Sequence, residues 1–347
     1  MRSNQFEQGV RSFATLDSAS LVAQPNCFTA AVSSASGSSA LNLGNKLTFL
    51  RSLLTLAGQS YYWSPGRLFR LAWAISRNIP SQVKVLHILS RPEYLRLARI
   101  TPRFSVKFLA LDYIARGLTV EQHAACFLHH YRRLPDVLSP ELLCGVLFDD
   151  VIADEIHADD HCFTVKLGLS RPWDNEGELS LNFEVDGQLV FILSFTIVPG
   201  WVVQSEFDEV VLISRLQGVK GRFAEIQLAT RSLHDVAPPA VLVAALCGLA
   251  DVYGIRGMAG VNAHMKPEFH LCEGEAEHIH QAYDKFLAEL GGIRAPSGFY
   301  LAPIPLPEKP LSLIKKGHKT RTRVKRAFKH DVAARICRWL REPTQRM

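Results

Sequence analysis

The sequence lacks the features of a membrane or secreted protein. No stretch approaches the roughly 20 consecutive apolar residues that a membrane-spanning helix needs, although apolar residues make up 48% of the 347 residues. The first residues, MRSNQFEQGVRSFATLDS, show no basic cluster followed by an apolar core, so a secretory signal is not expected. We therefore expect a cytoplasmic protein, long enough for one large domain or two ordinary ones.

Several catalytic and metal-binding motifs are also missing. The seven cysteines are odd in number, scattered and never spaced as C-x-x-C, which favours free thiols in a reducing compartment. No G-x-S-x-G or P-loop segment is present, so hydrolases of those types are poor interpretations. His123, His129 and His130 share a predicted helix but give no i, i+4 pair on one face, so we expect no metal site.

Charge is strongly segregated along the chain, whose net charge is +6. Residues 46–116 contain 12 Lys and Arg against two acidic residues, residues 117–314 contain 13 against 27, and residues 315–347 contain 12 against two. Two interpretations stay open. The basic segments pack on the acidic middle within one molecule, or they form a surface for a polyanion such as tRNA or anionic lipid.

The hydrophobic period changes from 3.6 to 2 after about residue 140. Residues 46–116 predict helices, and Thr119 to Gln122 fit a capping box that begins another helix. The predicted strands are CFTVKLGLS, GELSLNFEVDG, QLVFILSFTIV, EVVLISRLQG and FAEIQLATRSL, with a hairpin turn at Asp186-Gly187. The apolar helix PPAVLVAALCGLADVYG, the strand GMAGVNA, the amphipathic helix EAEHIHQAYDKFLAELGG and the strand SGFYLAP follow.

This order predicts an α+β fold, with a helical first half and a mostly antiparallel sheet packed by helices. We expect GMAGVNA to pair beside the end of FAEIQLATR. The predicted organisation is a disordered or loosely ordered lead (1–45), a basic helical region (46–140), an α+β domain (141–303), and a proline-rich linker with a basic helical tail (304–347). Apolar residues recur every fourth position from Val324 to Leu340, which predicts a tail helix docked by that stripe.

An ordered set of short motifs resembles the VirK/YbjX family from about residue 90 onward. The motifs are His129-His130-Tyr131, Gly177-Glu178-Leu179, Leu193-Ser194-Phe195, Leu216-Gln217-Gly218, Tyr283-Asp284-Lys285-Phe286 before Gly291-Gly292, and Gly298-Phe299-Tyr300. One departure is that the family's His-Gly-x-x-Pro stretch here begins His234-Asp235. The resemblance implies a bacterial protein associated with virulence or envelope stress, and it implies no agreed biochemical activity.

The element order is also similar to that of the GCN5-related N-acyltransferases. Val261-Asn262-Ala263 ends a short strand, a helix with Ala276 and Tyr283 follows, and a Gly-Phe-Tyr strand closes the order. This resemblance implies transfer of an acyl or aminoacyl group to an amine or hydroxyl by direct attack. The donor would lie where two strands separate and expose backbone groups.

The start of the apolar helix bears on the identity of the donor. Acyl-coenzyme A enzymes of that superfamily have a glycine-rich loop there, whose N–H groups hold the pyrophosphate at the helix N-terminus. In this chain Pro238-Pro239 remove two of those N–H donors. We therefore expect no tightly bound cofactor, and an acyl donor borne by a carrier protein or by tRNA in preference to acyl-coenzyme A.

Three residues are candidates for catalysis. Glu225 or His234 would remove a proton from the attacking amine, and Tyr283 would return one to the leaving group. Each residue also has a purely structural interpretation. Glu225 would lie on an exposed strand face, His234 would be a polar partner at the N-terminus of the apolar helix, and Tyr283 would pack in the core.

The candidates for substrate binding lie at strand ends or on an exposed face: Gln217, Gly218, Arg231, Asn262 and His264. The structural alternatives are a simple turn for Gln217 and Gly218, an exposed strand face for Arg231, and a helix cap for Asn262 and His264. The rival function is a non-enzymatic virulence or envelope-stress factor that binds anionic lipid or a protein partner through its basic segments. An RNA-binding accessory protein is a weaker third interpretation.

Overall fold

The structure is a computed structural model that describes residues 65–170, 175–266 and 276–342. These residues lie in a unit that spans residues 49–347. The predicted lead (1–45) and the first predicted helix (46–58) lie outside the described residues.

Helices form the first part of this unit, as the 3.6-residue period predicts. They are α1 (Pro65–Arg77), α2 (Ile79–Leu89), α3 (Pro92–Ile100), a 3₁₀ segment (Pro102–Leu109), α4 (Val120–Arg133), a 3₁₀ turn (Leu134–Asp136) and α5 (Pro140–Phe148). The predicted capping box at α4 is confirmed. Thr119 Oγ1 accepts the Gln122 N–H at 3.3 Å, and Gln122 Oε1 accepts the Thr119 N–H at 2.8 Å.

An aromatic cluster holds these helices together. The ring centroids of Tyr94, Phe104 and Phe127 all lie within 5.2 Å of the ring centroid of Tyr131. All four side chains are fully buried. Burial of each such ring contributes about 1.5–3 kcal/mol, and edge-to-face contacts add to that.

The second part of the unit is a mostly antiparallel sheet, so the predicted α+β class is confirmed. Its strands among the described residues are β1 (Val151–Ala158), β2 (His161–Leu169), β3 (Leu179–Val185), β4 (Gln188–Pro199), β5 (Glu209–Gly218), β6 (Gly257–Gly260), β7 (Ile293–Arg294) and β8 (Tyr300–Pro303). Their spatial order is β1-β2-β3-β4-β5-β6-β8-β7, and β5 with β6 is the parallel pair. The predicted hairpin turn is confirmed, since Asp186 and Gly187 both have positive φ, 49° and 76°.

Two strand predictions need correction. The segment FAEIQLATRSL is not a strand but a helix, α7 (Phe223–Ser232), and GMAGVNA therefore pairs beside β5 instead of beside that segment. Ile226, Ala229 and Leu233 recur at three- and four-residue steps and point toward the core, so helical periodicity prevails over the alternation that suggested a strand. The strand β1 was not predicted at all.

The remaining helices pack on and around the sheet. They are α6, a single turn (Gly200–Val203), α8 (Pro238–Val252), α9 (Ala276–Glu289) and α10 (Lys319–Arg341), with short 3₁₀ turns at Ala263–Met265, Leu311–Leu313 and Lys316–His318. No helix among the described residues has the length and apolar character needed to cross a bilayer.

The tail helix α10 docks by the predicted stripe. Val332, Ile336 and Leu340 are buried, whereas Val324 at the start of the stripe is exposed. Gly248 of α8 permits the close approach, because a Cβ there would lie 2.3 Å from the carbonyl oxygen of Ala333. The helix α10 is therefore part of the hydrophobic core as well as a carrier of basic residues.

Candidate functional site

The predicted catalytic residues do not all gather in one place. Glu225 lies in the first turn of α7, where Arg222 at 2.8 Å lowers the pKa of its carboxyl group. The exposed His234 ring lies against Phe328 of α10, with ring centroids 5.5 Å apart. Within the described residues, Glu225 and His234 thus contact Arg222 and Phe328, and neither makes a hydrogen bond or ring contact with Tyr283.

The predicted binding residues fall into separate groups as well. Gln217 is exposed and accepts a hydrogen bond from Arg215 Nε at 3.1 Å, and Gly218 fits closely against Ile226 and Phe191. Arg231 is exposed in the last turn of α7, away from any strand, since its segment is helical.

Asn262 acts as a helix cap. Its Oδ1 accepts the Met265 N–H at 3.1 Å, and its Nδ2 donates to the Gly298 carbonyl at 2.7 Å. His264 lies on the exposed side of the same turn. The buried Asn262 therefore fastens the end of β6 to the loop before β8.

Two neighbouring strands separate next to this cap. The parallel pairing of β5 with β6 ends where Ile213 faces Gly260 and accepts the Val261 N–H, yet β5 continues to Gly218 beside β4. Ser214 forms a bulge in β5 at this point, because its neighbours Ile213 and Arg215 pair with consecutive residues of β4. Bulges of this kind often lie beside active sites, where they redirect side chains and end pairing.

Tyr283 of α9 lies at this separation. Its hydroxyl is 3.5 Å from the Ser214 carbonyl oxygen, and the residue is buried. Burial raises the pKa of Tyr283, and the nearby Lys266 opposes that effect. The phenol is therefore protonated at neutral pH and has a cation beside it that would stabilise its phenolate.

Lys266 and Glu176 complete a polar cluster with this tyrosine. The Lys266 ammonium lies 4.1 Å from the centre of the Tyr283 ring and 3.3 Å from a carboxylate oxygen of Glu176. Burial tends to lower the pKa of Lys266, but Tyr283 and Glu176 outweigh it and hold that pKa above its usual value. Glu176 also lies 3.5 Å from Arg215. We call Glu176, Lys266 and Tyr283 the separation cluster.

A polar cavity adjoins the separation cluster through Arg215. Its volume is about 120 Å³, and it lies on the face of the sheet opposite the buried Leu181 and Phe183. The lining residues are Asp150, Leu169, Ser170, Ser180, Asn182, Glu184, Leu189, Ile192, Ser194 and Arg215. The buried Ser194 hydroxyl has no hydrogen-bond partner among the described residues. Buried polar groups normally have one, so this cavity suits a small polar group of a ligand.

A second charged cluster lies entirely within the core. Lys107 Nζ is 3.3 Å from a Glu178 carboxylate oxygen and donates to the Gly177 carbonyl at 2.7 Å. The Tyr131 hydroxyl donates to the other Glu178 oxygen, and the Glu178 N–H is 3.2 Å from Thr196 Oγ1. We call Lys107, Glu178 and Tyr131 the core cluster.

Two residues near the clusters have an unusual backbone conformation with positive φ. Gly177 has φ of +120°, and a Cβ there would lie 2.9 Å from Ser214 Oγ and 3.1 Å from the Phe195 nitrogen. Ile114, whose N–H donates to the Asn175 carbonyl at 2.6 Å, has φ of +62°. Such a φ is costly for a β-branched residue and is found where the surroundings fix the chain, often at functional sites.

Sequence reasoning missed Glu176, Lys266 and Arg215. Each lies within two residues of one that was singled out, namely Gly177, His264 and Leu216. Their pairing joins segments up to 90 residues apart, and no local pattern reports such a pair. Asp284 was also missed as a site residue. Its carboxylate accepts the Ala263 N–H at 3.0 Å and so supports the end of β6.

The comparisons with known proteins give one family. A family model described as a protein of unknown function (DUF535) matches residues 66–337. No curated protein and no solved structure matches the chain. The matched range includes both clusters.

Proposed function

The chain belongs to the DUF535 family, which is the VirK/YbjX family, and we propose that it transfers an acyl or aminoacyl group to an amine or hydroxyl at the separation of β5 and β6. One observation carries the proposal. The parallel strands part at a bulge, and a buried phenol lies against the backbone exposed there. The strand order, with a single parallel pair between an antiparallel meander and a terminal hairpin, supports the acyltransferase resemblance.

In this proposal the donor lies along β5 beyond Ile213. Within the part of the chain that the structure describes, no strand pairs with that edge. Its backbone groups, apart from the Ser214 carbonyl that Tyr283 contacts, therefore offer hydrogen bonds to the amide groups of an acyl donor arm. The helix α8 begins with Pro238 and Pro239, which have no N–H group, so few N–H groups are left there for a pyrophosphate. A donor borne by a carrier protein or by tRNA is therefore preferred over free acyl-coenzyme A.

Tyr283 supplies the proton to the leaving group. Burial keeps the phenol protonated until it is needed, and the Lys266 ammonium stabilises the phenolate once the proton has left. Glu176 holds that ammonium in place by an ion pair at 3.3 Å. Because Glu225 and His234 are engaged elsewhere, the acid–base part of the proposal rests on Tyr283.

The acceptor occupies the polar cavity beside Arg215. The volume of about 120 Å³ fits a small polar group, such as the amine or hydroxyl end of a larger molecule. Serine hydroxyls and the Asn182 amide line this cavity and can bind that group directly.

The experiment compares two tyrosine variants on several donors. Tyr283→Phe keeps the ring, and we expect it to lower turnover by about 10²–10⁴-fold with little loss of stability. Tyr253→Phe is the matched control, since Tyr253 is also buried and its hydroxyl donates to a backbone carbonyl, that of Leu134. Turnover is measured with aminoacyl-tRNA, acyl carrier protein and acetyl-coenzyme A. Tight coenzyme A binding would refute the proposed donor. Full turnover in Tyr283→Phe would refute the role of Tyr283 as the acid that protonates the leaving group.

The second candidate is polyanion or partner binding through the basic segments. Four tail cations are paired with the acidic middle of the chain: Arg321 with Asp235, Arg326 with Glu308, Arg335 with Asp154 and Arg341 with Asp251. Lys319, Arg323, Lys329 and Arg338 have no ion pair within the described residues. Much of the basic tail thus packs within the molecule, and these four are among the cations that remain for a tRNA or an anionic membrane.

This candidate is tested without removing α10, whose loss would expose the core. Neutralising Lys319, Arg323, Lys329 and Arg338 to Gln should weaken binding to tRNA and to vesicles with anionic lipid, and reduce the dependence of binding on salt. Neutralising Arg321 and Arg326, which are paired, is the matched control. Equal binding by both variants would refute a polyanion surface on the tail.

A further inference from the structure

The hairpin between β1 and β2 carries three metal-ligand side chains on one face. His157 of β1 lies directly opposite Cys162 of β2. Glu155 precedes His157 by two residues, so its side chain lies on the same face of the strand. The three side chains differ in type, and one nitrogen, one sulfur and one carboxylate oxygen converge.

The ligand atoms of the three side chains are close enough to share one ion. All lie within 4.8 Å of one another, and His157 Nε2 is 2.9 Å from Glu155 Oε1. In tetrahedral zinc sites, bond lengths of about 2.0–2.3 Å place ligand atoms about 3.3–3.8 Å apart. Small side-chain rotations at the hairpin surface therefore bring the three atoms to coordinating distance.

The hairpin also fixes the cysteine in position. Asp186, in the neighbouring β3–β4 turn, accepts the Cys162 N–H at 2.9 Å and binds His161 Nδ1 at 2.7 Å. The carboxylates of Glu155 and Asp186 both lie beside Cys162, and negative charge at that place favours a bound cation.

We propose that Glu155, His157 and Cys162 bind a divalent cation of the zinc class, with the fourth position open to water or to a ligand atom of a partner. Nitrogen, thiolate and carboxylate together are a ligand set that zinc accepts, whereas calcium and magnesium require oxygen ligands. Three ligands and an open position leave the ion accessible from solvent. This site is separate from the acyl-transfer proposal and shares no residue with it.

Cobalt substitution in the full chain tests the site. Co²⁺ added to chelator-treated protein should produce a thiolate charge-transfer band and the visible bands of tetrahedral cobalt, and equimolar Zn²⁺ should remove both. Cys162→Ser should abolish the charge-transfer band, and His157→Asn and Glu155→Gln should weaken binding by about 10²-fold or more. All three side chains are partly exposed or exposed, so these variants should fold.

The control separates this cluster from other thiols of the chain. Cys337→Ser removes a thiol outside the cluster, and it should leave the bands and the affinity unchanged. A charge-transfer band that survives in Cys162→Ser, or is lost in Cys337→Ser, would overturn the assignment. Absence of cobalt and zinc binding at millimolar concentrations would overturn it as well.

Discussion

Two glutamates separated by one glycine have opposite surroundings. Glu178 is fully buried, with Lys107 at 3.3 Å and the Tyr131 hydroxyl on its other oxygen. Glu176 is partly accessible and lies between Lys266 and Arg215, beside a phenol and a polar cavity. One carboxylate is fixed within the core, and the other is partly accessible and paired with an arginine that lines a polar cavity.

Two of the family motifs lie in the core and hold the fold together. Glu178 of the Gly-Glu-Leu motif contacts Tyr131 of the His-His-Tyr motif, across 47 residues. His130 of the same motif accepts the Ile197 N–H at 3.0 Å, on an edge of β4 that β3 no longer covers. These two motifs are thus joined by a buried contact, and the partly accessible Glu176 lies next to them.

The largest expected effect comes from breaking the core cluster. Lys107→Met leaves the Glu178 carboxylate buried without its cation, and we expect a loss of about 3–5 kcal/mol in the free energy of unfolding. The double variant Lys107→Met with Glu178→Gln removes both charges and should recover part of that loss. Equilibrium urea unfolding measures both. If the double variant is as unstable as the sum of the single variants, the two residues are not coupled.

A smaller effect is expected for the hydroxyl of Tyr131. Tyr131→Phe removes a hydrogen bond to a charged group, so we expect a loss of about 1.5–3 kcal/mol in the free energy of unfolding. Tyr94→Phe is the control, because its hydroxyl donates to the neutral Tyr131 carbonyl at 2.8 Å in the same aromatic cluster. That variant should lose about 0.5–1.5 kcal/mol. Equal losses would show that the charge of Glu178 has no special role.

The smallest effect depends on pH through His130. Burial, helped by the charges of His129 and Lys107, lowers the pKa of His130 from 6.5 to about 3. Above pH 6.5 the ring is neutral in both states. Below pH 6.5 the unfolded state gains a proton that the folded state does not bind until about pH 3, so stability falls by about 1.4 kcal/mol per pH unit.

The variant His130→Gln isolates this contribution. Between pH 6.5 and pH 5 the native protein should lose about 2 kcal/mol more stability than the variant, as measured by urea unfolding at each pH. Parallel pH profiles for the two proteins would contradict the assignment of a buried neutral ring to His130.

The sequence predicted the fold class, the capping box, the hairpin turn and the tail stripe, because each depends on neighbouring residues. It did not predict α7, where Ile226 and Ala229 suit a helix while the alternation of FAEIQLAT suits a strand. It also missed β1, which contains Asp154 in a buried position. That carboxylate is paired at 2.8 Å with Arg335, 181 residues away, and only the tertiary fold supplies the partner.

Only part of the candidate site could be predicted from the sequence, because some of its residues come together only in the tertiary fold. Tyr283 and Asn262 were singled out through a resemblance in the order of elements, and both lie where β5 and β6 separate. Lys266 and Glu176 carry no local signal, because a lysine in a turn and a glutamate before a glycine are ordinary. Their burial beside each other comes from the fold alone.

The most direct measurement compares Glu178→Gln with Glu176→Gln in one urea unfolding experiment. The two substitutions are identical in chemistry and lie two residues apart. We expect Glu178→Gln to lose about 3–5 kcal/mol, since it leaves Lys107 buried without a counter-charge. We expect Glu176→Gln to lose less than that, because Glu176 is partly accessible while Glu178 is fully buried. Equal losses, or the reverse order, would contradict the division of the two glutamates between the core and the site.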